Sequence, residues 1–473
     1  MNTWENSYLE ASKLVDNTTI NSKGVLLGFN VNLDKVIELN PVSFANVLRK
    51  TEDIGNLYAD HLPSKIATIK DLFVCLIHSI KEGKANEVLI SSEEVAKWIE
   101  NTFVISRTVI GGQAGIMANL LKAVQITPVL LSTPIASTRL LELLDPSIIV
   151  PGASYPSSSL KSGEGIDKIE QITHYVFEFS EGQYDLGNKV IKCLRSNRFI
   201  GSYDKVNSLL AFSDEFREYS ESNILNFSLG VISGFHLIDT ELHPSKSFSE
   251  IFKPVLHLIK KWKERNPKLI IHLELAAVND VDLKNKIVSY LFPLVNSIGL
   301  NEQELISYLS SIDATLSNSI KFELSSVSLF RGIHAIFSRY PHLRIHLHYL
   351  NYNLILSPLI SEDTILLRKN SLMISSIFAA VKAKNGLIKG RKDVTEIDYN
   401  VSKTGLEELQ RLDTYLKNEF NGEESLLKKG YLITESFAIF GIPTIVIPSP
   451  KQLTGLGDTI SLTSILFEMV ESK

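Results

Sequence analysis

Gly455-Leu456-Gly457-Asp458-Thr459-Ile460-Ser461, near the C-terminus, decides how the rest of the chain is read. Before it, Pro443-Thr444-Ile445-Val446-Ile447-Pro448 is a β-branched run between prolines and predicts a buried strand or its continuation. After it, Leu462, Ile465, Leu466 and Met469 recur at the spacing of one helix face. A tight glycine turn therefore falls where a helix begins. The first amides of a helix have no internal partners, and the helix dipole favours negative charge there, so such a turn binds anions. Gly455 and Gly457 let the backbone approach a phosphate closely. Asp458 would repel that anion unless its task is to take a proton from the group attacking it. The simpler alternative is a cap for the last helix.

The chain has 473 residues, 44% of them hydrophobic, enough for a large core. A formal charge of −5 gives no basic field, so nucleic acid is not an expected partner. Cys75 and Cys193 are far apart, which indicates neither a disulfide framework nor a cysteine metal site and suits a reducing cytoplasm. Met1-Asn2-Thr3-Trp4-Glu5-Asn6 lacks the basic and apolar regions of a signal peptide. No uninterrupted apolar stretch reaches the roughly 18 residues of a spanning helix. A cytoplasmic protein with no membrane partner is expected.

Residues 1–22 predict a leading helix. Gly24-Val25-Leu26-Leu27-Gly28-Phe29 reads as a buried strand running into Asn30-Val31-Asn32-Leu33-Asp34. Period two places Asn30, Asn32 and Asp34 on one face, a set suited to reading hydroxyl groups or, more plainly, a solvated strand edge. Ile66 to Ile80 predicts a helix ended by Gly83, with a strand over Glu87-Val88-Leu89-Ile90. Arg107-Thr108-Val109-Ile110 leads into a second glycine turn, Gly111-Gly112-Gln113-Ala114-Gly115, then a helix, then the strand Pro128-Val129-Leu130-Leu131. That order predicts a βαβ unit in a parallel sheet. Pro151 to Gly165 reads as a loop. Thr173 to Phe179 and Arg198-Phe199-Ile200, with a turn at Gly201, predict a smaller inserted sheet. Arg195 and Arg198 are its concentrated positive charge, on a surface or a ligand.

From Asn223 the α/β rhythm returns. Leu269-Ile270-Ile271-His272-Leu273-Glu274-Leu275 is an apolar strand interrupted by two ionisable groups, which is costly unless they reach a site at its end. Asn301-Glu302-Gln303-Glu304 follows the strand Val295 to Leu300 and supplies oxygen ligands for hydrated magnesium, or a helix capping box. Arg344 to Leu350 alternates as a strand. His346 and His348 face one way, but no ligand cluster nearby makes them a metal pair. Lys382 to Arg391 reads as a basic loop and 403–421 as a helix. Open parallel sheets bind ligands outside the carboxyl ends of their strands, where these polar groups fall. Hydroxyl readers, oxygen ligands, an anion nest and a proton acceptor are the parts of phosphoryl transfer to an alcohol.

Gly28-Phe29-Asn30-Val31-Asn32-Leu33-Asp34, Gly111-Gly112-Gln113-Ala114-Gly115-Ile116-Met117-Ala118-Asn119, His272-Leu273-Glu274, Asn301-Glu302-Gln303-Glu304 and the terminal nest resemble, in the same order, the archaeal ADP-dependent phosphofructokinases and glucokinases of the ribokinase-like superfamily. The resemblance spans nearly the whole chain. It implies an α/β fold: a ribokinase-like large domain with a mainly parallel central sheet flanked by helices, over 1–32, 109–151 and 216–473. A smaller lid domain built on a β-sheet would span 33–108 and 152–215. It implies Asp458 as catalytic base and metal contact, with Gly455, Leu456, Gly457 and Asn301 on the nucleotide and its phosphates. Glu274 and Glu304 would serve Mg2+ or another divalent cation. Asn30, Asn32, Asp34, Glu87, Gly112, Gln113 and Arg198 would bind the sugar, Arg198 matching a family arginine expected on phosphate. ADP as donor rests on the resemblance alone. Fructose 6-phosphate is the expected acceptor, in a modified glycolysis, with Arg195, Arg198 and the Lys382–Arg391 stretch as cations for its phosphate. Glu87 stands where the family has a glutamate associated with glucose recognition, so glucose is the alternative. A non-catalytic sensor and an ATP-dependent enzyme are the competing readings. Small molecules are the expected partners, with the chain a monomer or small homo-oligomer.

Overall fold

Val25 and Leu27 point to one side of the strand Gly24–Gly28 and Leu26 to the other, and both sides are fully covered. Apolar residues on both faces are what a central parallel strand requires. This strand pairs in parallel with Val129–Leu131 on one side and Phe227–Ile232 on the other. The parallel order continues through Ile270–Glu274 and Ser297–Leu300 to Arg344–His348. Tyr352–Ser357, Ala438–Pro443, Tyr431–Ile433 and Glu423–Ser425 then complete a ten-stranded sheet with an antiparallel edge. The computed structural model describes residues 3–17, 23–51, 62–153, 172–187, 189–278, 280–395, 397–452 and 455–469. The end of the predicted leading helix (18–22) and most of the predicted loop (154–165) lie outside them.

Helices cover both faces. Phe29 stacks on Trp262 at 6.5 Å between ring centres on one side, while Met117, Phe378 and Leu462 belong to the core on the other. Glu362–Asn385 is, among the described residues, the one helix long and apolar enough to cross a membrane. It packs against the terminal helix Leu456–Glu468, with 61% of its apolar window buried inside the protein.

The chain leaves this sheet at once. Asn32–Leu39 begins a second, six-stranded sheet in the order Lys65–Ile66, Asn86–Ile90, Asn197–Asp204, Ile172–Phe179, Asn32–Leu39, Arg107–Gly111. Its Tyr175, Phe177, Phe199 and Leu39 share a core with Leu72, Phe73 and Leu76 of the helix Ile69–Glu82. Gly83 ends that helix in the left-handed region.

Four readings of the sequence are corrected here. Arg107–Gly111 is not in one sheet with Val129–Leu131, so no βαβ unit links them. It pairs antiparallel with Asn32–Leu39, Asn32 opposite Gly111. Arg107 and Val109 alternate as exposed residues, the signature of a one-sided edge strand rather than a doubly buried one. Gly201 is no turn but sits inside Asn197–Asp204, where a Cβ would meet Ile90 Cδ1 at 2.9 Å. The strand before the nest is Ala438–Pro443; beyond it only Ile445 makes a bridge, to Val401, because proline cannot extend the ladder. Lys382 lies within the helix Glu362–Asn385, whose apolar positions run on through Ile377, Phe378 and Val381 to the left-handed Gly386.

At the far end of the terminal helix, Glu468 accepts hydrogen bonds from Arg344 Nε at 2.8 Å and Arg368 Nε at 3.0 Å. Burial opposes its charge, yet the two arginines hold its carboxyl below the ordinary value. Removing one member of such a set strands the others in a dry environment. Glu468→Ala is expected to lose about 3–5 kcal/mol of stability, read from the shift of the denaturant midpoint.

Candidate active site

A cleft of about 340 Å³ opens between the carboxyl ends of the parallel strands and the face of the smaller sheet opposite the helix Ile69–Glu82. Period two supplies that face. Tyr175 and Phe177 turn to the helices, and their neighbour His174 turns to the cleft. Asp34 stands beside His174 in register, with Ser202 on its other flank, and Glu87, Arg198 and Ile200 complete the wall. His174 Nε2 bonds Asp204 Oδ2 at 3.1 Å, and its Nδ1 lies 3.7 Å from Glu87. Burial opposes the charge of His174, but the Asp204 bond and the charges of Glu87 and Asp34 raise it to about 9. Desolvation pushes Asp34 up to about 6 against the pull of His174. Asn32 donates to Asp34 at 2.5 Å.

The turn Gly111-Gly112 lies against this group. A Cβ on Gly111 would fall 2.1 Å from Asp34 Oδ1 and 2.3 Å from Asn32 Nδ2. Gly112, at φ 72°, is in the left-handed region, and a Cβ there would strike the Asn30 carbonyl at 2.5 Å. The helix Gln113–Ala123 starts there, and Gln113 Nε2 donates to Asp458 Oδ1 at 3.3 Å and to the Leu275 carbonyl at 3.2 Å.

Asp458 is not the cap of its helix. Gly455 holds the cap position at φ 66°, and Asp458 is the third residue of Leu456–Glu468. Its carboxyl rises to about 6 through desolvation and the nearby charge of Glu274, opposed by Lys382 and Gln113. Lys382 Nζ donates to the Gly455 carbonyl at 2.9 Å from behind the turn.

Three adjacent strands end at the cleft floor. Glu274 ends the first; its carboxylate accepts from His272 at 3.1 Å and lies 3.4 Å from His348 Nε2 at the end of the third. Burial would raise Glu274, yet these histidines bring it down to about 2. His348, for its part, is raised by that pairing against burial. The middle strand leads to Asn301, which caps Glu302–Leu309, and Glu304 returns the bond to Asn301 N at 2.7 Å. The capping box and a place on the cleft wall are thus both true of this pair. Burial drives Glu304 up to about 8, with Glu274 and Asp458 adding repulsion. Among the described residues no three metal-ligating side chains are grouped to hold an ion directly. Three carboxyls, two of them pushed towards the protonated form, would suit a hydrated dication held through water, whose charge would favour ionising them.

Asn30, Asn32, Asp34, Glu87, Gly112, Gln113, Arg198, Glu274, Asn301, Glu304, Gly455, Leu456, Gly457 and Asp458 all line this one cleft. Asn30 Oδ1, Asn32 Oδ1, Gln113 Oε1 and Arg198 Nε are buried there without a partner among the described residues. Buried polar atoms are normally paired, so such a group marks a place for a ligand. Arg195 is elsewhere, exposed beside Gly83. Arg391 bonds the Val124 carbonyl. His174, His236 and His348 line the cleft without having been singled out as site residues. His174 was legible as the polar break in an alternating apolar strand, and His348 as the polar end of another.

The raised carboxyl of Glu304 has a measurable consequence. A group raised from 4.5 to about 8 favours the folded state below its unfolded value and loses that contribution as pH climbs through 8. In chelator-treated protein, Glu304→Gln should therefore gain stability relative to the parent between pH 6 and pH 9. Denaturant melts at the two pH values measure it.

The conserved region of ADP-specific phosphofructokinase/glucokinase matches residues 23–467. An ADP-dependent glucose/glucosamine kinase of Pyrococcus abyssi is 31% identical, over 98% of each chain. An ADP-specific phosphofructokinase of Pyrococcus furiosus is 28% identical, covering 94% of this chain and 96% of its own. In fold, the chain resembles the last common ancestor of ADP-dependent phosphofructokinases from Methanosarcinales, with TM-score 0.80, 24% identity and 99% of each chain covered. It likewise resembles an ADP-dependent kinase in complex with fructose-6-phosphate and ADPβS, with TM-score 0.82 and 24% identity over 99% of this chain and 98% of that one. With an α/β fold and a glycine turn opening its last helix beside Asp458, the chain belongs to the ADP-specific phosphofructokinase/glucokinase family, kinases that transfer phosphate to a sugar hydroxyl.

Proposed function

We propose that the chain transfers the β-phosphoryl group of ADP to fructose 6-phosphate, forming fructose 1,6-bisphosphate and AMP, with glucose as the alternative acceptor at the same place. The observation that carries this reading is the shared cleft: Asp458 and the glycine turn before it line the same cavity as the unpartnered oxygens of Asn30 and Asn32. The sugar hydroxyls satisfy those oxygens, Asp458 takes the proton of the attacking hydroxyl, and the amides of Gly455 to Asp458 receive the charge developing on the phosphoryl group. Gln113 steers Asp458 through its amide nitrogen and keeps its oxygen for the sugar. Glu274, Glu304 and Asp458 would hold a hydrated Mg2+, whose charge would stabilise the donor's phosphates. The segments 33–108 and 152–215 would act as a lid that closes over the sugar and keeps water from competing. The two free, buried cysteines suit a reducing cytoplasm.

Two observations bear on the acceptor. Arg198, with its unpaired Nε, supports a sugar phosphate. Glu87 on the cleft wall, and the absence of Arg195 and Arg391 from it, favour glucose. Formation of the phosphorylated sugar with each acceptor, with AMP as the co-product from ADP and ADP as the co-product from ATP, decides among these readings. No AMP with either sugar, or equal turnover with ATP, would sink the assignment. Glu87→Ala is expected to lower kcat/KM for glucose more than for fructose 6-phosphate; an equal fall for both would remove Glu87 from acceptor choice.

Asp458→Asn should reduce kcat by about 10² to 10⁴ with sugar affinity nearly kept. A base raised to about 6 is protonated below that value, so kcat should fall about tenfold per unit below pH 6 and level off above it. A flat profile from pH 5 to 7 would deny Asp458 the role.

A further inference from the structure

His272, Ser297 and Arg344 stand side by side, in register, on three adjacent parallel strands. All three are buried, at 0%, 1% and 6% exposure. His272 Nδ1 lies 2.9 Å from Ser297 Oγ, and Arg344 Nη1 lies 3.4 Å from the same oxygen. At the other edge of the imidazole, Nε2 lies 3.1 Å from Glu274 Oε2. We propose that Ser297 and Arg344 are positioning residues that lock His272 in the Nε2–H tautomer and thereby aim the Glu274 carboxylate at the cleft.

The argument is one of hydrogen-bond polarity. A guanidinium only donates, so Ser297 accepts from Arg344 with a lone pair. Ser297 keeps its hydroxyl hydrogen and a second lone pair, so it can meet Nδ1 of His272 in either role, and the Glu274 end decides. The ring proton sits on Nε2 and is donated to Glu274, which as a carboxylate only accepts. Burial disfavours a second proton on the ring, so Nδ1 accepts, the Ser297 hydroxyl hydrogen turns to it, and the row has one arrangement. The groups around it keep that arrangement in place. Arg344 is held from the terminal helix by Glu468 at 2.8 Å and Ser464 at 2.6 Å. Gly299, opposite Glu274, leaves the space: a Cβ there would fall 2.2 Å from Glu274 Oε2 and 2.4 Å from Ser461 Oγ. The same helix that begins with the phosphate nest therefore anchors, a few turns later, the residue that orients the acid on the cleft floor.

The inference rests on Glu274 serving a divalent cation, and it is tested on the whole chain free of nucleotide. Long-range proton–nitrogen correlation of the histidine rings reads the tautomer, with His272→Gln as the assignment control. The parent and Ser297→Thr, which keeps the hydroxyl, should show His272 protonated at Nε2. Ser297→Ala should show a mixture or the Nδ1 form. Binding of Mn2+, followed by electron paramagnetic resonance, should weaken about 10- to 100-fold in Ser297→Ala and stay near the parent in Ser297→Thr. A parent ring protonated at Nδ1 overturns the proposal even if neither variant folds. So does a Ser297→Ala protein with unchanged Mn2+ affinity. A parent that binds no Mn2+ while keeping the Nε2 form refutes the cation role of Glu274 instead.

Discussion

Gly111 has no room for a side chain, because Asn32 and Asp34 of the facing strand pack against it beside the cleft. Asn32 and Gly111 are opposed in the small sheet, and each is within a few residues of an element of the large one. The chain crosses outward after Gly28 and returns before Gln113, so the two crossings run side by side. The side chains of Asn32 and Asp34 occupy the space a Cβ at Gly111 would need. Any residue but glycine there would move Asn32 and Asp34, which line the same cleft as Asp458. The polar wall that the smaller sheet gives the cleft thus depends on a glycine at this position.

The second constraint is electrostatic. Five ionisable carboxyls share the cleft: Asp34, Glu87, Glu274, Glu304 and Asp458. Burial would raise Glu274, but His272 and His348 flank it and pull it well below its ordinary value. Asp34, Asp458 and Glu304 are pushed up, chiefly by loss of water. A carboxyl raised to about 6 remains a competent base near neutrality, and a stronger one than an ordinary aspartate. On the proposed function, burial within a negative cluster would both tune Asp458 as the base and ready the cleft floor for a dication. Lys382 sets the limit to this, holding the Gly455 carbonyl and countering the rise of Asp458.

Much of the site was legible because its signals are local. The glycine turn before Leu462, the alternation from Asn30 to Asp34, and Asn301 three residues before Glu304 each depend on a few consecutive residues, and backbone geometry acts over that range. The misreadings have one cause. Arg107–Gly111 followed by a helix and a strand looked like a βαβ unit, but only long-range pairing tells which sheet a strand joins. Gly201 looked like a turn because a glycine in a short run usually is; here it admits Ile90 from the neighbouring strand. Lys382 and its glycine-rich sequel looked like a loop because composition does not show that the helix continues to Asn385.

The sequence by itself determined the chemistry on offer: an anion nest at a helix start, an adjoining carboxylate, amides at a strand end and acids beyond two others. These are properties of residue type and spacing, which the covalent chain carries whatever surrounds it. Only the tertiary structure decided which groups meet, since His174, His236 and His348 come from three separate segments to one cleft. It also decided what charge each bears, because a carboxyl's proton affinity is set by the water it loses and by charges brought from distant parts of the chain. The row from Arg344 to Glu274 is the sharpest case: four unremarkable polar residues acquire a single direction only when three strands lie in register.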